Sequence, residues 1–126
     1  MKTLLTIFTL VFTLMFSSTS IAGWTKVGEN SRGSFYVDFE RIRKHDGFVY
    51  WWQLGNLLKP DKDGDLSYKP YNQGDCKLFR YKILSVSYHK EPMGGGTGTR
   101  GTPSSKWNYP PPNSSVELIL KEVCSR

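Results

Sequence analysis

Cysteine and histidine are scarce, with two of each in 126 residues. Cys76 and Cys124 lie far apart, so the chain has no Cys-x-x-Cys redox motif, and nothing marks either as a catalytic thiol. His45 and His89 have no ligand-type neighbour at helical or loop spacing, which leaves no zinc site of the usual kind. Ser34, Ser67 and Ser85 lack the glycine context of a nucleophile elbow. Met93-Gly94-Gly95-Gly96 lacks the lysine and hydroxyl residue of a phosphate loop, so its glycines signal flexibility only. Asp61, Asp63 and Asp65 have the alternation of a calcium loop, but the glycine falls at position 4 and Asn72 stands where a glutamate is needed. They read as a solvated turn. Asp38 and Glu40 are the candidates for a carboxylate pair, although edge charges that discourage sheet-to-sheet pairing are the plainer reading. No catalytic, metal or cofactor site is expected.

Long apolar runs are also missing. The longest, Leu4 to Phe16, is interrupted by three threonines, and about 20 residues are needed to cross a bilayer. It follows Lys2 and precedes the small-residue stretch ending Ser20-Ile21-Ala22, the three parts of a secretory signal in order. We expect residues 1–22 to be removed by cleavage between Ala22 and Gly23, leaving a domain over 23–126 with no transmembrane segment. No cysteine lies at that boundary for lipid attachment, so the exported protein is expected to be unlipidated, in the periplasm or at the cell surface. In an oxidising compartment the two remaining thiols are most simply a disulfide, Cys76 to Cys124.

The 104 remaining residues make one domain. Gly23 to Gly28 and Ser34 to Asp38 read as strands joined by a turn-rich hairpin connection. Phe39 to His45 reads as one helical turn or an irregular link, closed by Asp46-Gly47. Phe48 to Leu54, aromatic and β-branched, is the strongest strand signal, apolar in both directions and so central with both faces covered. A short strand is predicted over Leu66 to Lys69, ending at Pro70. A long one is predicted from Cys76 to Tyr88, with a bulge near Arg80. Pro92 to Pro112 reads as a mobile loop pinned by Trp107. Ser114 and Glu117 form a capping box, and Val116, Ile119, Leu120 and Val123 make one apolar helical stripe. The expected fold is therefore α+β: an antiparallel β-sheet with one C-terminal α-helix packed on it and one disulfide.

Positive charge is in excess, with 17 Lys and Arg against 11 Asp and Glu, and the formal +6 falls to +5 when Lys2 leaves. That balance favours an acidic protein or anionic glycan as partner, with the loop cations Lys59, Lys62, Arg100 and Lys106 as first candidates for contact. A solvated basic surface that merely confers solubility is the competing reading. Lys77 to Lys82 mixes cations with aromatics as nucleic-acid strands require, but export argues against nucleic acid.

Taken in order, several segments resemble the surface-adhesin protein E domain family of Gram-negative bacteria. These are Trp24, then Phe35-Tyr36-Val37-Asp38 with Arg41-Ile42-Arg43 and Gly47, then the aromatic strand through Trp51 and Leu54. Asp75-Cys76 leads into Arg80 to Ser85 and Tyr88, followed by Met93 to Gly96, Trp107, Ser114 and the last helix with Cys124. The resemblance spans the mature chain and implies the same sheet-and-helix fold with bridged cysteines. It also implies an exported adhesin without known catalytic activity, engaging host matrix or serum proteins or envelope components. A periplasmic inhibitor or assembly factor acting on an envelope complex is the alternative, and a small hydrolase using Asp38 or Glu40 ranks last.

Overall fold

The computed structural model describes residues 23–126. The predicted leader, residues 1–22, lies outside the described residues. Seven strands, β1 (Thr25–Glu29), β2 (Gly33–Val37), β3 (Arg43–His45), β4 (Phe48–Leu57), β5 (Ser67–Asp75), β6 (Arg80–His89) and β7 (Thr99–Gly101), precede one helix, α1 (Ser115–Cys124). They form a single antiparallel sheet in the order β1-β2-β4-β5-β6-β7. β3 pairs with β4 at Phe48 to Tyr50, and β2 pairs with β4 at Gln53 to Leu57, so both lie along the same edge of that strand. The predicted α+β architecture is the observed one.

Because strand side chains alternate between faces, the sheet has an inner and an outer side. The inner side carries Val37, Val49 and Trp51, which close with Ile119, Leu120 and Val123 of α1 into a fully buried cluster. Each such side chain contributes about 1.5–3 kcal/mol by leaving water. Gly74 lets the helix come this close: a Cβ there would lie 2.8 Å from Trp51, 2.9 Å from Val49 and 3.0 Å from Leu120. The helix begins where Ser114 accepts the N–H of Glu117 at 3.2 Å. The return bond differs from a capping box, because the Glu117 carboxylate accepts the N–H of Asn113 instead. Cys76 and Cys124 are bridged, tying the end of α1 to the turn after β5.

Several expected boundaries move. Part of the Phe39 to His45 link is the short strand β3, closed onto β4 by Asp46 (φ 51°) and Gly47 (φ 83°), the left-handed pair of a tight hairpin turn. β5 does not stop at Pro70 but continues to Asp75. Its ladder to β4 keeps one register but has a gap between Trp52–Tyr71 and Gly55–Tyr68, so the interruption falls at Pro70, which has no N–H to donate. Cys76 to Phe79 form the β5–β6 turn rather than the start of a strand, with Phe79 at φ 53°. The bulge lies at Leu84, not near Arg80: Tyr71 pairs with Ser85 and Asn72 with Ile83.

The glycine-rich segment is more structured than its composition implies. It carries a 3-10 turn, Pro92–Gly94, and strand β7, and Asn108 bridges to Tyr81. His89 organises it and is buried. The Gly95 carbonyl, 3.2 Å from Nδ1, can only accept, so Nδ1 carries the proton and Nε2 accepts the Ser87 hydroxyl at 2.9 Å. Ser67, also buried, donates to the Glu91 carbonyl and accepts the N–H of Gly94.

Candidate binding surface

β4 is central, as its composition predicts; α1 seals its inner face, and the Pro92–Gly94 turn lies at the far end of its outer face, where Leu54 is fully buried and Asn56 accepts the N–H of Met93. On the outer side Phe48, Tyr50 and Trp52 are half-buried, with no helix over them. The pairing registers line up residues across four strands. Arg43 of β3 lies opposite Tyr50 of β4, Tyr50 opposite Gln73 of β5, and Gln73 opposite Lys82 of β6. One outer-face row thus has a cation at each end and a tyrosine–glutamine pair between them. Gln73 Nε2 donates to the Tyr50 hydroxyl at 3.1 Å. Tyr71 sits between Trp52 and Tyr50, its ring centroid 4.7 Å from the first and 6.3 Å from the second.

The neighbouring row is capped by Trp107, which arrives from the loop after β7. Its ring stacks on Phe48 at 5.8 Å, with the Arg80 guanidinium 4.4 Å and the Lys82 ammonium 4.7 Å from its centre. Trp107 therefore does pin its loop, but to the outer face rather than to the core. Arg80 is held from below by Asp75, whose carboxylate accepts Arg80 Nε at 3.0 Å and the N–H groups of Lys77 and Leu78 at 3.1 Å each. The Leu78 N–H foremost, then Arg80, keep the Asp75 carboxyl below its usual value against the opposing effect of burial. Arg43, Lys69 and Lys82 have no carboxylate partner among the described residues.

The four sequence-predicted cations do not converge. Lys59 and Lys62 are exposed in the β4–β5 connection, and Lys106 is exposed beside Trp107. Arg100, on β7 opposite Ser87, alone shares the outer face by register. Sequence reading missed Arg43, Lys69 and Lys82 as a set, because only the pairing registers place them together.

Other candidates have structural roles. Asp38 is buried and caps the Phe39–Arg41 turn, accepting the Glu40 N–H and pairing with Arg41 at 3.1 Å, whereas Glu40 is exposed. This replaces the reading of the two as edge charges. Asp61, Asp63 and Asp65 do come together, their carboxylate oxygens within 4.8 Å. Asp61 already accepts the N–H groups of Asp63 and Asp65, and Lys90 pairs with Asp65 at 3.1 Å. On the inner side, beyond the start of α1, an open trough of about 650 Å³ is floored by Phe35, Tyr68, Ile83, Val86 and Tyr88. Burial pushes the Tyr68 phenol above its usual range, with Tyr88 adding to the effect.

Comparison with known proteins identifies the family and the fold. The family described as surface-adhesin protein E matches residues 24–125. Solved structures of Haemophilus influenzae protein E share the fold at 16% identity. One superposes with a TM-score of 0.66 over 85% of this chain and 91% of that one. A second gives 0.65 over 85% and 88%. Protein E from a non-typeable strain gives 0.62 over 84% and 78%. A curated 5'-nucleotidase SurE of Petrotoga mobilis is 29% identical over 63 residues. That match takes in half of this chain and a quarter of the nucleotidase.

Proposed function

The chain belongs to the surface-adhesin protein E family, and on that premise we propose that it is an exported, non-catalytic binding protein that holds an anionic partner against the outer face of its sheet. The observation carrying this reading is the row Arg43–Tyr50–Gln73–Lys82, whose end cations have no carboxylate partner among the described residues. A protein or a glycan of opposite charge gains from that field at long range and from ring contacts once docked. Lys59, Lys62, Arg100 and Lys106 add steering charge around it. Of the two carboxylates available for hydrolysis, Asp38 is committed to a cap and an ion pair.

Retention of the mature domain on heparin and on an immobilised acidic protein, at about 0.1 M and 1 M salt, tests the reading, because the Debye length falls from about 10 Å to about 3 Å over that range. Retention on at least one support is expected at low salt, to be lost at high salt and in the Arg43→Glu, Lys82→Glu double variant. Equal behaviour of wild type and variant removes the outer face from the reading. On intact cells, external protease is expected to reach the domain. Full protection would favour the envelope-internal alternative, an inhibitor or assembly factor in the periplasm.

A further inference from the structure

We propose that the outer face is a glycan-binding platform, whose ligand is a polysaccharide carrying carboxylate or sulfate groups rather than an acidic polypeptide. This rests on the reading of that face as an anionic-partner surface and specifies what the partner is made of. Arg43 and Lys82, neither paired with a carboxylate among the described residues, stand three strand spacings apart, about 14 Å. Between them the row holds no further cation but Tyr50 and Gln73, and the next outer-face row sets the rings of Trp52 and Tyr71 beside Tyr50. An aromatic face is electron-rich, so it attracts C–H groups and repels carboxylates. A polypeptide dense in acidic side chains would press carboxylates onto those rings. A chain of pyranoses presents C–H faces at intervals between its anionic groups, which matches cations separated by rings.

The polar group in the row supports the same ligand. Gln73 uses its Nε2 on the Tyr50 oxygen, leaving Oε1 as an acceptor and the phenol proton as a donor on adjacent strands. Such a neutral donor–acceptor pair suits sugar hydroxyls. The row also crosses strand interiors, since β4 and β5 are paired on both sides. An extended peptide adding as a strand would use the open edge of β3 and meet only the Arg43 end of the row.

Titration calorimetry at about 0.15 M salt separates the partners, using heparin hexasaccharide, hyaluronan oligosaccharide and polyglutamate of matched charge. Either glycan is expected to bind at least tenfold more tightly than polyglutamate, with heparin favoured if sulfate is the anion and hyaluronan if carboxylate suffices. Tyr71→Leu, which keeps apolar volume but removes the ring, should weaken glycan binding about five- to tenfold and leave polyglutamate unchanged. Gln73→Met repeats the test without removing a ring, should Tyr71→Leu fail to fold as judged by circular dichroism. Polyglutamate binding as tightly as both glycans, with no loss in either variant, overturns the glycan assignment while leaving an anionic-partner surface in place. Binding of none of the three probes overturns both.

Discussion

Trp107 lies flat on Phe48, their ring centres 5.8 Å apart, and this stack joins the loop after β7 to the start of the central strand β4. Arg80 and Lys82 both contact the same indole. Trp107→Ala removes one aromatic pair and two cation–π contacts at a half-exposed site. It should cost about 1–2 kcal/mol, read as a thermal midpoint lowered by several degrees. A variant as stable as wild type would mean that the stack does not hold the loop.

The bridge between Cys76 and Cys124 joins the β5–β6 turn to the last turn of α1. Intact mass of the native protein should be two hydrogens below the reduced mass. Cys124→Ala should lower the denaturation free energy by about 2–5 kcal/mol. Two free thiols in freshly isolated protein would contradict the pairing.

Asp75 predicts an acid limb. Its folded pKa is lowered, so the stability it contributes is fully present above the ordinary carboxylate value near 4 and is lost as pH falls through the lower folded value. Asp75→Asn keeps an acceptor for the turn N–H groups but loses the ion pair with Arg80. The variant should melt lower at pH 7 and lose less on going from pH 5 to pH 2. Parallel melting curves across that range would assign the acid limb to other carboxylates.

His89 is the anchor of the glycine-rich segment through Gly95. In His89→Ala, trypsin should cut after Arg100 or Lys106 several-fold faster than in wild type, with the remaining core intact on a gel. First cleavage at Arg43 or Lys82 would instead mean that the sheet itself had opened.

How much of this could be read along the chain depends on the range of the forces involved. The strand over Phe48 to Leu54, the chain break at Asp46-Gly47 before it and the helix with its Ser114 cap follow from local preference and periodicity, so the sequence alone carries them, whereas the pairing of β3 across that break does not. The cysteine pairing also follows, because two thiols in an oxidising compartment have one intramolecular choice. Pro70 misled because a central strand normally excludes proline, and only the gap in the β4–β5 ladder shows how its missing N–H is accommodated. Glycine-rich composition misled in the same way, since the bonds ordering that segment come from His89, Ser67 and Tyr81 elsewhere in the chain. The binding surface was the least legible part. Arg43, Tyr50, Gln73 and Lys82 belong to four different strands and are no motif in sequence. What makes them neighbours is strand register, which is set by the inner face, where Val49, Trp51 and Gly74 must meet α1. A shift of one residue would turn those side chains away from the core, so burial on one side of the sheet decides which charges and rings stand together on the other.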